Sequence, residues 1–381
     1  MDGTTHGADP ACRVCGAGLQ EQVADLGLVP LSLASVPPAA AGRPLACAPL
    51  RALVCTDCRL VQTPGAEVAA PLPPLGPQHG FAGLIATRLR LGPGTPVAAF
   101  DPACLGPFRD RAIPARAVPA GARTALALRE AMPPPVLLLA GPVLATASDP
   151  ADALAGVRAL LAPGGVAVFD LPDLLGWLRG NRFDRLGHAL RLLPSVLVAE
   201  MMLGLHDLVP FALETLPAPG GWLRLLVRHA EDATKPIGGS VLTRRAEERA
   251  AGLEGSAAYA RAAVQVAEAR LAVLDLLVAA RREGRRVAGF GAGPTAATLA
   301  AACGLGPGLL AGTVDPSGAA AGLLLPGSAV PVWPAAALAV AQPDLLLVLD
   351  GTPAAEVRAA LAGQPGAPGR IAEPLPGLRI D

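Results

Sequence analysis

The sequence has little lysine, few aromatic residues and no net charge. Lys235 is the only lysine among 31 basic residues, and 31 acidic residues balance them. Aromatic residues make up 3% of the chain, and Tyr259 is the only tyrosine. A neutral chain has no overall field that would draw it to nucleic acid or to an anionic membrane. The shortage of aromatic rings also excludes an extensive surface for stacking bases.

A long uninterrupted apolar run is missing as well. The most apolar stretch, residues 192–213, contains Glu200, His206 and Asp207. A membrane-spanning helix needs about 20 nearly uninterrupted apolar residues. The first residues, MDGTTHGADPAC, have neither the basic nor the apolar region of a signal peptide. These features predict a cytoplasmic protein that does not contact membranes.

Cysteine is sparse but patterned, since four of the seven cysteines form two C-x-x-C pairs. Cys12 and Cys15 make the first pair, and Cys55 and Cys58 make the second. Each pair can form a tight turn with both sulfurs facing one ion, and two pairs complete the tetrahedral site of structural Zn²⁺. Two cysteine pairs without metal are the alternative. A redox pair is disfavoured, because neither pair follows a strand and opens a helix.

The middle of the chain alternates between strand-like and helical segments, which predicts a parallel, doubly wound sheet. The clearest junction is LLAPGGVAVFDLP at 160–172, where Pro163 and two glycines end a helix before a buried strand. The segment VAAFD at 97–101 indicates another strand, which ends in an acid. An acid at such a strand tip can accept both ribose hydroxyls of an adenosine cofactor. Asp101 is therefore a candidate cofactor ligand, with a solvated or helix-capping aspartate as the equal alternative.

The last third of the chain predicts long linking helices followed by a second, smaller α/β domain. Residues 246–282 repeat apolar side chains at the three- and four-residue spacing of helices. Beyond them, Gly289, Gly291 and Gly293, with Asp315 after the next predicted strand, imitate a dinucleotide fingerprint. A close helix–strand turn without a ligand explains the same spacing.

The order of these parts resembles one family, the S-adenosylmethionine-dependent C-methyltransferases that act on nucleotide-linked deoxysugars. The resemblance is carried by CRVCG at 12–16, LGLVPLS at 26–32, CTDCRLVQ at 55–62, LLAPGGVAVFDLP at 160–172, GGWLR at 220–224, VAGFGA at 287–292 and GLLLPG at 322–327. It implies an α/β fold with a zinc-binding module at 1–64, a doubly wound class I methyltransferase-like domain at 78–232, linking helices at 240–283 and a C-terminal Rossmann-like domain at 284–381.

The resemblance also implies a structural Zn²⁺, S-adenosylmethionine as cofactor and a nucleotide-linked sugar as substrate. Asp101 matches the ribose-binding acid of the family. His188 is the one proton-transferring residue kept from the family's FDxxYHEH motif, which is associated with deprotonating the sugar. Its neighbours Gly187, Ala189 and Leu190 have no group that transfers a proton. The family's glycine-rich cofactor loop, with its strand, has no counterpart before residue 97.

These observations leave a short set of functions. We expect a C-methyltransferase fold with weak or absent catalysis, because the cofactor loop and most proton-transfer residues are missing while His188 and Asp101 remain. One alternative is a non-catalytic binding or scaffold partner of an intact paralogue. Another is a dinucleotide-dependent enzyme that uses the glycine-rich turn at 289–293.

Overall fold

Three β-sheets organise the part of the chain that the computed structural model describes, namely residues 10–40, 43–65, 78–216 and 221–381. Most of the N-terminal stretch used above to judge targeting, and Gly220 of the GGWLR segment, lie outside these residues. Among the described helices, none has both the length and the apolar character needed to cross a membrane.

The strands are β1 (Glu21–Pro30), β2 (Cys47–Val54), β3 (Val61–Gln62), β4 (Val97–Ala99), β5 (Ala115–Ala117), β6 (Leu137–Gly141), β7 (Val166–Pro172), β8 (Leu192–Leu193), β9 (Leu208–Leu216), β10 (Trp222–His229), β11 (Val287–Phe290), β12 (Thr313–Val314), β13 (Val332–Trp333), β14 (Leu345–Val348), β15 (Ile371–Glu373) and β16 (Arg379–Ile380). The α-helices are α1 (Gln78–Arg88), α2 (Gly106–Arg109), α3 (Ala122–Ala131), α4 (Val143–Thr146), α5 (Pro150–Leu160), α6 (Leu174–Arg179), α7 (Val196–Gly204), α8 (Gly239–Ala250), α9 (Ala257–Arg282), α10 (Pro294–Ala302), α11 (Leu338–Ala341) and α12 (Ala354–Ala360). Short 3-10 turns lie at Pro38–Ala40, Pro102–Leu105, Phe183–Arg185 and Ala335–Ala337.

The N-terminal sheet has the strand order β1-β2-β3-β8, and its neighbouring strands are antiparallel. Its first three strands follow one another near the N-terminus, whereas β8 comes from the middle of the chain. Val61 and Gln62 of β3 pair with Leu193 and Leu192 of β8. Backbone hydrogen bonds of one sheet therefore join the zinc-binding region to the central domain.

The central sheet has the order β5-β4-β6-β7-β10-β9. The first four strands are parallel, and β10 is antiparallel to both of its neighbours. Along β7, Val166 and Val168 belong to one buried cluster, whereas Ala167 and Phe169 belong to another. Successive side chains of a strand point to opposite faces, so both faces of this sheet are buried. This arrangement confirms the predicted doubly wound sheet.

The C-terminal sheet has the order β13-β12-β11-β14-β15-β16 and is parallel apart from β16. The chain moves outward from β11 to β13 and then returns to the other side of β11, which is the Rossmann order. The strand predicted for 309–315 is confined to β12, because the amides of Leu309 and Leu310 bond to Gly306 O in a turn. The predicted fold class, α/β with a second Rossmann-like sheet, is confirmed.

The predicted helical region at 246–282 consists of two helices, α8 and α9. A turn that contains Gly252, whose φ is +78°, separates them. The buried face of α9 includes Tyr259, Val266, Val273 and Leu277. These side chains share one hydrophobic cluster with residues of β1 and β11. Helix α9 therefore packs against both the N-terminal and the C-terminal sheet.

Local signals around the 160–172 junction behave as the sequence predicts. The Asp149 carboxylate caps α5 by accepting a hydrogen bond from Asp152 N at 2.9 Å. Gly164 has a φ of +71°, which L side chains rarely adopt. The strand that follows, β7, is buried along its whole length.

Candidate functional site

Four cysteine sulfurs converge in the N-terminal region. The Sγ atoms of Cys12, Cys15, Cys55 and Cys58 all lie within 4.8 Å of one another. Cys12 Sγ is 3.6 Å from Cys58 Sγ, and Cys15 Sγ is 3.4 Å from Cys55 Sγ. A tetrahedral zinc ion with Zn–S bonds of about 2.3 Å places its sulfurs about 3.8 Å apart. The predicted donor set therefore fits Zn²⁺.

Two tight turns bring these sulfurs together. In the first turn, Gly16 N donates to Cys12 O, and Gly16 has a φ of +78°. In the second, Cys55 N donates to Leu60 O, and Arg59 takes a positive φ of +62°. The left-handed conformation of these two residues lets each segment reverse its direction directly after its second cysteine.

The cysteine arrangement favours a metal over a redox pair. The shortest sulfur–sulfur distances join cysteines of different C-x-x-C pairs, and all four are free thiols. A hydrogen bond from the Cys58 thiol lowers the pKa of Cys12 to about 4, and the same interaction raises the pKa of Cys58. A dication among these sulfurs would hold all four as thiolates.

One residue near the cluster was not singled out as a site residue from the sequence. Gln62 is buried, and its Nε2 donates to Cys12 Sγ at 3.1 Å. Its position directly after the second cysteine pair, in CTDCRLVQ, is the signal that could have found it.

Asp101 lies at the crevice of the central sheet. It follows β4, which pairs with both β5 and β6, so the chain changes direction across the sheet at this point. Ligands of doubly wound sheets bind in such crevices, at the carboxyl ends of the strands. The exposed Asp101 carboxylate accepts a hydrogen bond from Ala103 N at 2.9 Å and caps the Pro102–Leu105 turn.

The strand order gives Asp101 a different place from the one that the family resemblance implies. By that resemblance, residues 97–101 match the strand after the cofactor loop, but β4 holds the position of the first strand. The second strand is β5, which is followed by Val118 and not by an acid. Asp101 therefore lies in the turn where a doubly wound sheet carries its glycine-rich loop. Its role as a ribose ligand stays a prediction.

A buried ion pair lies at the carboxyl end of β7. Arg224 of β10 faces Asp170, with Nε–Oδ1 and Nη2–Oδ2 distances of 2.7 and 2.9 Å. The guanidinium carbon also lies 3.9 Å from the ring centroid of Phe81, which belongs to α1. Burial, and next the charges of Asp101 and Asp170, raise the pKa of Cys104 to about 11. The charges of Asp170 and Arg224 therefore compensate each other at this end of the sheet.

His188 is held against the N-terminal sheet. The side chain is buried, and its Nε2 lies 3.1 Å from Val29 O, an atom that can only accept a hydrogen bond. Nε2 must therefore carry the proton. No hydrogen bond among the described residues joins His188 to Asp101, so the two predicted site residues do not form one polar network.

Comparisons with known proteins find similarity in two parts of the chain. A model described as the C-methyltransferase C-terminal domain matches residues 217–376, and a model described as a zinc binding domain matches residues 12–69. The C-methyltransferase NovU of Streptomyces niveus is 30% identical over 206 residues, which are 54% of this chain and 49% of NovU. The chain thus spans about half the length of the curated relative that it matches.

Two solved methyltransferase structures align with part of this chain. The glycopeptide N-methyltransferase MtfA, complexed with sinefungin, is 12% identical and aligns with a TM-score of 0.29 over 43% of this chain and 99% of its own. The Burkholderia thailandensis 1,6-didemethyltoxoflavin-N1-methyltransferase is 16% identical, with a TM-score of 0.32 over 46% of this chain and 98% of its own.

The C-terminal domain has a crevice of its own, between β11 and β14. Gly291 there has a φ of +105°, and a Cβ at this position would lie 2.6 Å from the Asp350 carboxyl carbon. A Cβ on Gly289 would lie 2.7 Å from Leu349 and Thr313 side-chain atoms. Both glycines are therefore required by close packing within the domain.

The acid of the dinucleotide fingerprint is also engaged within its own turn. Asp315 accepts hydrogen bonds from Ser317 N, Ser317 Oγ and Ala320 N at 3.0, 2.7 and 2.7 Å. Burial raises the pKa of this carboxyl, but these hydrogen bonds outweigh burial and leave it lowered. A carboxylate with these partners has little capacity left for ribose hydroxyls.

The central domain covers the same crevice. Arg182 and Arg185 both donate to Asp350 O, at 3.3 and 3.2 Å. Asp184 holds Arg182 through Nε–Oδ1 and Nη2–Oδ2 contacts of 2.9 and 2.6 Å. The glycine-rich turn and its surroundings thus form a domain interface. This interface favours the interpretation of the turn as a close helix–strand turn that binds no dinucleotide.

Proposed function

We propose that this chain is a cytoplasmic protein that keeps the C-methyltransferase scaffold but transfers methyl groups weakly or not at all. A non-catalytic binding partner of an intact paralogue is the alternative. The observation that carries the proposal is the engagement of both candidate polar residues in structural hydrogen bonds. Asp101 caps the turn after β4, and His188 donates to Val29 O.

The cofactor end of the site supports this proposal. In a doubly wound sheet, free backbone N–H groups after the first strand hold the cofactor. Here Ala103 N donates to the Asp101 carboxylate, Cys104 N donates to Asp101 O, and Pro102 has no N–H. A carboxylate–diol contact alone offers a few kcal/mol at most before the cost of ordering the ligand. We therefore infer weak binding of S-adenosylmethionine.

The surroundings of His188 also support the proposal of weak or absent methyl transfer. Carbon methylation beside a sugar carbonyl needs a positioned base and a group that stabilises the developing oxyanion. Nε2 of His188 donates to Val29 O, so only Nδ1 of this buried ring could accept a proton. Gly187, Ala189 and Leu190 beside it have no polar side-chain atom. A nucleotide-linked sugar, the substrate class implied by the family resemblance, would find no relay around His188.

Methyl transfer from labelled S-adenosylmethionine to nucleotide-linked 4-keto sugars tests the proposal. NovU with its own substrate serves as the positive control, and this chain is compared with His188→Ala. We expect no turnover in either form of this chain. Turnover that disappears in His188→Ala would restore His188 as the base and identify an active C-methyltransferase.

Calorimetry completes the test. We expect no saturation by S-adenosylmethionine at micromolar concentrations, and the same result for Asp101→Asn, which keeps a side-chain acceptor for Ala103 N. Saturation that Asp101→Asn abolishes would show that Asp101 is a ribose ligand after all. Tight binding of NAD(H) would instead favour the dinucleotide-dependent alternative.

A further inference from the structure

Uncharged N–H groups donate hydrogen bonds to the sulfurs of the cysteine cluster. These groups include Val14 N on Cys12 at 3.5 Å, Asp57 N on Cys55 at 3.4 Å and the Gln62 side chain on Cys12 at 3.1 Å. Four thiolates around one dication carry a net negative charge. Donors to the sulfurs stabilise that charge and orient the ligands.

The Gln62 amide has a fixed orientation. Its Oε1 accepts a hydrogen bond from Arg13 N at 3.0 Å, which leaves Nε2 to face Cys12 Sγ. Only 1% of Gln62 is exposed, so water cannot replace either partner. The carboxamide therefore holds a zinc ligand and the backbone of the next residue at the same time.

We propose that Gln62 is a positioning residue of the zinc centre, which sets zinc affinity by holding Cys12 and the first C-x-x-C turn. Its place on β3 gives that contact a rigid base, because β3 pairs with β2 on one side and with β8 on the other. The adjacent Thr63 makes a separate contact, since its Oγ1 donates to Leu190 O at 2.5 Å. The proposal does not depend on whether the chain transfers methyl groups.

The held turn also contacts the central domain. Arg13 Nη1 donates to Ser148 O at 3.1 Å, just before α5. Cys12 shares a buried cluster with Leu144 and Leu192 of the central domain. Gln62 thus fixes the part of the zinc centre that is packed against the rest of the protein.

Zinc affinity of the full chain, measured by competition with a chromophoric chelator, tests the proposal. Gln62→Leu removes both hydrogen bonds, and Gln62→Glu places a carboxylate beside the thiolate. We expect each to lower zinc affinity by 10–100-fold, the range for lost outer-shell partners of metal ligands. Gln20→Glu introduces the same charge at an exposed glutamine of the same module and should leave zinc affinity unchanged.

Thr63→Val distinguishes an effect of the Gln62 amide from a general loss of stability in β3. This variant removes the Thr63 hydrogen bond to Leu190 O but keeps the Gln62 contacts, so we expect zinc affinity within twofold of the unsubstituted chain. Cobalt(II) substitution gives a second readout: the sulfur-to-cobalt charge-transfer bands should shift in Gln62→Leu and stay in place in Thr63→Val.

Unchanged affinity and spectra in both Gln62 variants, or an equal loss of zinc affinity in Thr63→Val, would overturn the proposal. If Gln62→Leu does not fold, Gln62→Asn, which keeps the amide but shortens its reach, supplies the same comparison.

Discussion

His188 donates its Nε2 hydrogen to the carbonyl oxygen of Val29, a residue of the N-terminal sheet. A histidine of the central domain thus satisfies a buried backbone group of another sheet. We predict that His188→Leu lowers the free energy of unfolding by about 1–3 kcal/mol, the cost of leaving a buried acceptor without its donor. Urea denaturation measures this loss. His206→Leu, at a partly exposed site, should change stability by less than about 0.5 kcal/mol. Equal effects of the two substitutions would contradict a structural role for the His188 hydrogen bond.

Zinc should be bound at one ion per chain and should contribute much of the stability of the N-terminal module. We predict that Cys55→Ser abolishes stoichiometric zinc, because it removes one of four converging sulfurs. Cys47→Ser is the matched control, since Cys47 is exposed at the other end of β2 and lies outside the cluster. Metal analysis with native thiol titration checks both variants. Zinc well below one per chain in the unsubstituted protein, with all four thiols reactive, would disprove the site.

The interface at the C-terminal crevice depends on Gly351. Its φ is +77°, and a Cβ there would lie 2.6 Å from Arg182 Cζ. Gly363 has nearly the same φ, +78°, with nothing within 4 Å of a built Cβ. We predict that Gly363→Ala costs roughly 1–2 kcal/mol from backbone strain, and that Gly351→Ala costs more, because Arg182 is pinned by Asp184 and must move. Denaturation of both variants in an Arg182→Ala background is the check. An excess cost of Gly351→Ala that persists without Arg182 would rule out this contact as its cause.

We expect stability to require both Asp170 and Arg224 or neither of them. Replacing Arg224 alone with Met leaves a buried carboxylate without its partner, and we predict a loss of about 3–5 kcal/mol in the free energy of unfolding. The double variant Asp170→Leu, Arg224→Met should recover part of that loss, because an apolar pair of similar size needs no charge compensation. Thermal or urea unfolding measures both variants. A double variant less stable than Arg224→Met alone would show that the ion pair is not the source of the effect.

The sequence predicted the elements whose signals are local. Apolar runs predicted β4 and β7, and the helical period predicted α9. Strand β1 was missed, because register shifts after Gln22 and Asp25 break the two-residue alternation that marks a strand. The four zinc ligands were predictable since their spacing already defines two turns.

Contacts between distant parts of the chain were not predictable in the same way. Arg182 and Asp350 are 168 residues apart, and nothing in either segment indicates the other. Asp101 was correctly expected at the end of a strand, but the place of that strand in the sheet depends on pairing with β5 and β6. Side-chain partners decide whether a histidine or an aspartate is available for chemistry, and those partners come from tertiary packing.

The pairing of β3 with β8 has a consequence for any attempt to study the zinc-binding region alone. A fragment that ends near residue 64 would lose β8, and the hydrogen-bonding groups of β3 that face Leu192 and Leu193 would become an open edge. Open, apolar sheet edges recruit other strands and promote aggregation. The fragment is therefore expected to self-associate even when it is loaded with zinc.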